Sequence, residues 1–246
     1  MSDIQIQRAD GPLVLGLPHT GTDVPADVAG ALNETGHALA DTDWHIHHLY
    51  DGLIDAVTTV RTPVHRYVID VNRDPEGQSL YPGQNTTGLC PATDFDGQPI
   101  YVEGRAPDAA ETQKRLEAYH RPYHTALGEW LDRMNPELIL SIHSFTPKLA
   151  TSQEQRPWEV ALLYNQDDRA ARHAIRFFGE LGYNVGDNEP YSGRELNATM
   201  NRHAEAHGRA YCAIEIRQDL ISNRADQARW AATIADVAGR VALALS

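Results

Sequence analysis

The 246-residue chain lacks the features that would place it in a membrane or outside the cell. No apolar run approaches the ~20 residues that a membrane-spanning helix needs. The first residues, MSDIQIQRADGP, do not show the charged and then apolar pattern of a signal peptide. Only two cysteines are present, Cys90 and Cys212, and they form neither a CxxC pair nor a disulfide framework. We interpret both as inert thiols and expect a cytoplasmic protein without a membrane partner.

Positive charge is also scarce. Lysine and arginine total 21 against 34 aspartates and glutamates, which gives a formal net charge of −13. Such a surface repels nucleic acid and anionic membranes, so neither is expected as a partner. Small anionic substrates are not excluded, because a few local arginines can still capture a carboxylate.

Short apolar segments alternate with amphipathic ones along the chain, and no internal repeat is visible. This alternation predicts an α/β sandwich with a mostly parallel sheet. A Gly-, Pro- and Asn-rich stretch over 74–104 is long for a loop in a compact domain, which is typical of a functional segment. The predicted strands are 12–18, 64–71, 138–143, 158–164 and 209–217, and the predicted helices are 24–32, one that begins at Asp41 or Thr42, 107–134, 168–182 and 225–245.

Polar residues stand at or just after the ends of several predicted strands. They are His19, the pair Asn72 and Arg73, His143, and Glu215. Sites in open α/β sheets form at the carboxyl ends of strands, so we expect these side chains to share one cleft.

The two histidines at strand ends are typical of a zinc site, because neutral imidazoles in a dry cleft suit this ion. A catalytic zinc commonly has three protein ligands and one open position. The residues alone leave the third ligand open. They also allow that Asp41 and Asp43 only cap a helix. The candidates for the third ligand are Asp23, Asp43, His45, His47 and His48.

Glu215 lies between two isoleucines, where a glutamate is costly unless it is paired. Beside zinc it could act as general base and acid, and the alternative is an ion pair with Arg73 or Arg217. Ser144 is a poor nucleophile partner for His143, because adjacent strand residues point to opposite faces and no GxSxG motif is present.

Four arginines are candidates to hold a substrate carboxylate through two parallel hydrogen bonds. Asn72 or Arg73 could in addition stabilise the oxyanion of a tetrahedral intermediate. The four arginines are Arg73, Arg194, Arg202 and Arg217.

Several long motifs together resemble the N-formylglutamate amidohydrolase family. The first half is similar to members that act in histidine breakdown, and the second half to a broader branch of the family. The resemblance implies a single domain over 1–246 with a three-layer α/β/α sandwich and a mixed, mostly parallel central sheet, as in zinc carboxypeptidase-like hydrolases. The motifs are PHTGTDVP, DTDWHIHHLYD, RYVIDVNRDP and SLYPGQNTTGLCP in the first half, and IHSFTP, RPWEVALLYNQDDR, GDNEPYSG and AIEIRQDLI in the second.

The same resemblance implies an activity and a set of roles. The activity is zinc-dependent hydrolysis of N-formyl-L-glutamate or a similar N-acyl amino acid, which releases formate or another acid. Glu215 is implied as the general base and acid, and Asn72 and Arg73 as the groups that polarise the carbonyl or grip a carboxylate. The implied zinc ligands are His19, Asp43 and His143, and the implied further substrate-side residues are Tyr191, Arg194 and Arg217.

Two other functions fit the same residues. One is a zinc carboxypeptidase or peptidoglycan amidase of the same fold, which needs a more open cleft than the long 74–104 segment favours. The other is a non-catalytic protein that binds a small molecule, which absence of metal from the purified protein would favour. The oligomeric state is not predicted by any of these patterns.

Overall fold

A mixed seven-stranded sheet forms the centre of the protein. The computed structural model describes residues 4–8, 13–51, 57–77, 88–148 and 155–246. The strands are β1 (Gln5–Gln7), β2 (Leu13–Leu17), β3 (Val57–Arg61), β4 (Leu138–Phe145), β5 (Val160–Leu163), β6 (Val185–Asp187) and β7 (Tyr211–Arg217).

The strand order is β1-β3-β2-β4-β7-β5-β6. Strand β2 runs parallel to β3 and β4, β4 parallel to β7, and β5 parallel to β6. Among the described strands, the antiparallel pairs are β1–β3 and β5–β7. The prediction of a mixed, mostly parallel sheet is therefore confirmed.

Helices cover both faces of this sheet and complete the three layers. One group contains α3, α6 and α8, and a second contains α5 and α7, with α5 packed against β3. In the described part of the chain, no helix has both the length and the apolarity to cross a bilayer. The helices are α1 (Ala26–Ala29), α2 (Glu34–His37), α3 (Ile46–Tyr50), α4 (Ala109–Arg115), α5 (Arg121–Met134), α6 (Arg169–Glu180), α7 (Ala198–His203) and α8 (Arg224–Leu245).

The central strands are buried on both faces, which explains their nearly continuous apolar sequence. All eight residues of β4 are buried, including the polar Ser141, His143 and Ser144. Cys212 is buried in the neighbouring strand β7, and burial raises the pKa of its thiol to about 12, as expected of a core cysteine.

The carboxyl ends of β2, β4 and β7 lie side by side because these strands are adjacent and parallel. His143 in β4 stands directly opposite Glu215 in β7. His19 follows β2 by two residues. The topology thus gathers three of the predicted site residues at one edge of the sheet, as the sequence pattern indicated.

The predicted strand over 64–71 is wrong. Only Val64 forms a bridge there, to Asp23, and the true strand β3 ends earlier, at Arg61. The segment folds back through turns, with Val68 N bonded to His65 O. Every residue over 64–71 is buried, so its β-branched composition reflected burial and not a sheet ladder.

The long helix predicted over 107–134 is present, but a π-helical turn interrupts its α-helical hydrogen bonding in the middle. Helix α4 passes into a π-helical turn over Leu116–His120 and then into α5. Pro122 stands at the start of α5, where it removes a backbone donor. A π-helical turn just before the proline accommodates that loss without ending the helix.

A close backbone approach joins the loop after β2 to the segment after β3. Asp23 N donates to Pro63 O at 2.9 Å, and His65 N donates to Asp23 O at 2.9 Å. Gly21 lies between these contacts, where a Cβ would stand 2.4 Å from Pro63 O and 2.5 Å from Val64 O. Glycine is therefore required at this position for the two segments to meet.

Replacing Gly21 by alanine should lower the free energy of unfolding by about 1–3 kcal/mol, since the backbone atoms that it meets cannot yield. Urea unfolding measures the change. Gly239→Ala is the matched control, because Gly239 lies within α8 with no neighbour near its added Cβ. That control should raise stability by up to about 1 kcal/mol, and equal effects of the two substitutions would contradict the close approach.

Candidate active site

His19, Asp43 and His143 converge at the carboxyl edge of the sheet. His143 Nδ1 lies 2.8 Å from Asp43 Oδ2, and His19 Nδ1 lies 3.5 Å from the same oxygen. The two Nδ1 atoms are 3.2 Å apart. All three side chains are buried, and the described residues contain one such group of potential metal ligands.

Local backbone contacts place Asp43 in this cluster. Asp43 N donates to His19 O at 3.2 Å, so the aspartate is tied to the loop that carries the first histidine. The helix cap that the sequence left open as its alternative role is not formed. Helix α3 begins after His45, which has a left-handed φ of 72° and makes no side-chain cap, and Asp41 Oδ2 instead accepts from Phe95 N at 3.0 Å.

The Nε2 atom of each histidine, which faces away from the cluster, also makes a hydrogen bond. His19 Nε2 lies 2.7 Å from Asp70 Oδ1, and His143 Nε2 lies 2.9 Å from Ser141 Oγ. A carboxylate only accepts, so His19 carries its proton on Nε2 and directs the Nδ1 lone pair at the cluster. This is the orientation that a histidine ligand of a metal normally has.

Buried charges around the cluster are balanced by Arg66. Its Nη2 lies 2.5 Å from Asp70 Oδ2, and its Nη1 lies 3.8 Å from Asp43 Oδ1. Burial alone would raise the pKa of both carboxyls. The charge of Arg66 and the contact with His19 nevertheless hold the pKa of Asp70 well below its usual range, and the contacts with His19 and His143 lower that of Asp43. Both aspartates are therefore anionic at neutral pH.

Glu215 is the buried carboxyl beside this cluster. It stands opposite His143 across the sheet, and its Oε2 is buried without a hydrogen-bond partner among the described residues. The alternative of an ion pair with Arg73 or Arg217 is not realised, since no ion pair of Glu215 is formed within the part of the chain that the structure describes. Burial raises the pKa of Glu215 to about 7, against the opposing charge of His143.

Arg156 and Tyr191 lie close enough to Glu215 to interact with its charge. Arg156 Nη2 donates to Tyr191 Oη at 3.0 Å, and the guanidinium packs over the Phe145 ring at 5.7 Å. The pKa of Tyr191 is raised, first by burial, and the charge of Glu215 adds to this shift. The structure does not bring Arg217 to these groups. Its guanidinium donates to Asp219 and to backbone carbonyls over 156–158.

A cavity of about 540 Å³ is the second region of the candidate site. Arg73 connects the two regions, because it lines the cavity while its Nη1 lies 3.8 Å from Asp70 Oδ2. The predicted residues Asn72 and Arg194 also line this cavity. The lining residues are Asn72, Arg73, Asp74, Pro75, Gly77, Gly88, Leu89, His120, His124, Arg194, Glu195, Leu196, Asn197, Ala198, Asn201 and Arg202.

Two histidines of the long helix fix the backbone on either side of Asn72. His124 Nε2 bonds Val71 O at 2.8 Å, and His120 Nε2 bonds Arg73 O at 2.9 Å. Asn72 N in turn donates to Asp70 Oδ1 at 2.9 Å. These bonds hold Asn72 and Arg73 in a defined position between the cluster and the cavity.

A third histidine, His203, contacts His124. His203 Nε2 lies 2.9 Å from His124 Nδ1, and because His124 donates through Nε2, His203 must be the donor. Burial lowers the pKa of His124 to about 2 and that of His203 to about 4, and neighbouring cationic groups such as Arg202 lower both further. Both imidazoles are neutral in the folded protein at pH 7.

Several of these residues were missed from the sequence. Asp70, Arg66, Arg156, His120 and His124 received no role. The sequence did point to Asp70. Burying an aspartate within a β-branched apolar run costs free energy unless it is paired, as it does for Glu215 between its isoleucines. Arg66 lies only four residues before Asp70, so its pairing with that aspartate was within reach of the sequence. His120, His124 and Arg156 gave no such signal, because the partners Arg73, Val71 and Tyr191 lie far away along the chain.

A family model and two curated relatives point to the same protein family. The family model described as N-formylglutamate amidohydrolase matches residues 11–222. An N-formylglutamate deformylase of Pseudomonas aeruginosa is 41% identical over 146 residues, which are 57% of this chain and 54% of that protein. One of Pseudomonas putida is 42% identical over 138 residues, 54% of this chain and 51% of that protein. The matched region thus spans about half the length of these curated relatives.

Two solved structures resemble the whole fold. One is a gene product of Agrobacterium tumefaciens, with a TM-score of 0.76 and 26% identity over 99% of this chain and 96% of that one. The other is an N-formylglutamate amidohydrolase of Ralstonia eutropha JMP134, with a TM-score of 0.74 and 26% identity over 100% and 98% of the two chains. The likeness in fold extends over nearly the full chain.

The buried histidines predict a loss of stability in acid. An unfolded histidine binds a proton near pH 6.5, whereas His124 and His203 in the folded state do not until about pH 2 and 4. Their contribution is fully present above about pH 6.5 and is lost as pH falls. Between pH 6.5 and 5, each should lower the free energy of unfolding by up to about 2 kcal/mol.

Urea unfolding between pH 7.5 and 5 measures this dependence in the wild type and in His203→Gln, which keeps a donor towards His124. Asp41 and Glu215, whose pKa values are raised to about 6 and 7, act in the opposite direction. The informative quantity is therefore the difference between the two proteins. A shallower acid loss in the variant is expected, and identical slopes would contradict a neutral buried His203.

Proposed function

The chain belongs to the N-formylglutamate amidohydrolase family, and on that premise we propose that it hydrolyses N-formyl-L-glutamate, or a similar N-acyl amino acid, with the aid of zinc. Water would add to the acyl carbon, the C–N bond would break, and formate (or another acid) and the free amino acid would leave. The observation that carries the proposal is the convergence of two imidazole nitrogens and a carboxylate beside the unpaired carboxyl of Glu215.

The donor set suits zinc in type and spacing. Zinc–ligand bonds of about 2.0–2.1 Å require ligand atoms within roughly 4 Å of one another. The facing atoms of His19, Asp43 and His143 lie 2.8–3.5 Å apart. Because the Asp43 carboxylate only accepts, His143 Nδ1 carries the proton of their hydrogen bond, and zinc would take the place of that proton. His47, the other nearby candidate, is not part of the group.

When bound, zinc would supply Lewis acidity to the acyl carbonyl and would acidify a neighbouring water. Glu215 is proposed as the base, because its Oε2 is buried, has no partner and lies on the strand beside His143. The proton that Oε2 takes from the attacking water would then pass to the departing amine nitrogen. The water-poor surroundings keep this proton transfer between the carboxyl and the reacting atoms.

Asn72 and Arg73 are proposed to hold the substrate carbonyl or its carboxylate. Their backbone is fixed by His120, His124 and Asp70, so they need no reorganisation when the substrate binds. Tyr191 and Arg194 are proposed as further substrate-side residues. Arg217 would act from a distance through the 156–158 segment that its guanidinium holds.

Glu215→Gln should keep zinc near one ion per chain and reduce kcat for N-formyl-L-glutamate by about 10²–10⁴-fold, because the amide cannot accept the proton. Metal analysis and an assay for released amine measure the two quantities. Chelation of the wild type should also abolish activity, and zinc should restore it.

Glu129→Gln is the control for this substitution, since Glu129 is an exposed residue of α5 and should not affect turnover. Near-normal hydrolysis by Glu215→Gln would exclude this residue as the base. A wild-type protein that holds zinc but hydrolyses no N-formylglutamate would remove the named substrate and leave the family membership intact.

Asp70→Asn should weaken zinc binding by about 10- to 100-fold, since a neutral amide orients and polarises His19 less than a carboxylate does. Competition with a chelator of known affinity measures the change. Ser141→Ala removes the neutral partner of His143 and should weaken binding less. Wild-type zinc affinity in both variants would show that these outer contacts do not orient the ligands.

A further inference from the structure

Arg156 is a cation without a carboxylate partner near the candidate metal cluster. Many arginines of this acidic chain, such as Arg121 and Arg172, pair with nearby acidic side chains. Arg156 forms no ion pair with another described residue, although its charge lies close enough to influence Glu215. Its guanidinium is engaged by neutral groups instead, so ion pairing does not explain where it lies.

The guanidinium of Arg156 contacts Tyr191 in two ways. Arg156 Nη2 donates to Tyr191 Oη at 3.0 Å, and the guanidinium carbon lies 5.0 Å from the centroid of the Tyr191 ring. The other terminal nitrogen, Nη1, donates to Thr146 O at 3.1 Å, just beyond β4. A planar guanidinium can make both contacts at once, and Arg156 therefore ties Tyr191 to the strand that carries His143.

The segment that carries Arg156 is itself fixed by the backbone. Arg156 N donates to Pro147 O at 2.8 Å. Arg217 Nη1 donates to Arg156 O at 3.1 Å and to Trp158 O at 3.2 Å. Arg217, at the end of β7, thus holds the segment from which Arg156 reaches Tyr191.

The loop that carries Tyr191 is anchored on either side of it. Asn188 Oδ1 accepts from Tyr164 N at 3.0 Å and from Gly193 N at 2.9 Å. A Cβ at Gly193 would stand 2.4 Å from Tyr164 N, so the loop lies directly against the residue that follows β5. Between these anchors, the contact with Arg156 sets the position of the Tyr191 hydroxyl.

The hydroxyl of Tyr191 still has a proton to donate. Its oxygen accepts from Arg156, and within the described part of the chain it donates to no acceptor. Burial raises the pKa of Tyr191, and the charge of Glu215 adds to the shift, so the hydroxyl keeps its proton at neutral pH. A free donor therefore lies near the unpartnered Oε2 of Glu215.

We propose that Arg156 is a positioning residue, which holds Tyr191 so that the tyrosine hydroxyl donates a hydrogen bond to an oxygen of the substrate. This inference rests on the proposed function. The oxygen belongs to the acyl group or to the carboxylate of the N-acyl amino acid, since both accept hydrogen bonds. Arg156 acts through Tyr191, because an ordered hydroxyl needs no reorientation when the substrate binds.

A double-mutant cycle with N-formyl-L-glutamate tests this role. Tyr191→Phe should lower kcat/KM by about 10- to 100-fold, as expected for one charge-assisted hydrogen bond. Arg156→Gln should cause a similar loss, and the double variant should lose little more than either single variant. Losses that multiply in the double variant would overturn the proposal, and so would a wild-type kcat/KM in either single variant.

The same kinetics assign the substrate oxygen. A loss mainly in kcat places the Tyr191 hydroxyl at the acyl oxygen, whose negative charge grows in the transition state. A loss mainly through a raised KM places it at the carboxylate, which has the same charge in the ground state and the transition state.

Arg156→Lys separates orientation from charge, because an ammonium keeps the positive charge near Glu215 but lacks the planar fork. This variant should lose nearly as much kcat/KM as Arg156→Gln, and wild-type kcat/KM in it would overturn the positioning role. Arg133→Gln is the matched control, because Arg133 is an exposed arginine that packs over an aromatic ring, that of Trp130, at 4.8 Å. It should keep the wild-type kcat/KM.

Fluorine NMR of protein labelled with 3-fluorotyrosine separates this inference from the proposed function. The Tyr191 resonance is the one that Tyr191→Phe removes. Arg156→Gln should shift it and Arg133→Gln should not, and N-formyl-L-glutamate should shift it in zinc-loaded Glu215→Gln. Both shifts without hydrolysis by the wild type would support the positioning role and remove the activity. Hydrolysis with a resonance that neither Arg156→Gln nor the substrate moves would keep the activity and remove the positioning role.

Discussion

The buried carboxylate of Asp70 is the group on which the rest of the site depends. It accepts from His19, from the backbone of Asn72 and from Arg66, and Arg73 lies close by. Burying a carboxylate is costly, and the cost is offset here because several donors converge on it. One anion therefore fixes the orientation of a metal-ligand candidate and the position of the segment that borders the cavity.

The distribution of charge is compatible with the anionic substrate that we propose for such an acidic protein. Buried carboxylates at the cluster are matched by Arg66, whereas Arg194 and Arg202 line the cavity and form no ion pair with a described residue. Because salt screens the negative surface over about 10 Å, distant acidic groups oppose an incoming carboxylate only weakly. Arginines beside the cavity act at contact distance, where their attraction is strongest.

The fold class and the central site residues could be predicted, because they depend on patterns that are local in sequence. The apolar runs of β2, β4 and β7 and the polar residues at their ends indicated one edge of a parallel sheet. The strand expected over 64–71 failed, because a fully buried turn has the same composition as a strand. Arg217 could be placed at the end of its strand, but its distant carbonyl partners were not visible from the sequence.

The sequence by itself determined the α/β architecture and brought His19, His143 and Glu215 to neighbouring strand ends, since strand periodicity and burial are written in adjacent residues. Only the tertiary structure decided that Asp43 joins them, that Asp70 orients His19, and that Arg194 and Arg202 line a cavity. These facts depend on contacts between segments far apart in the chain, and their geometry is set by how the loops at the edge of the sheet pack together.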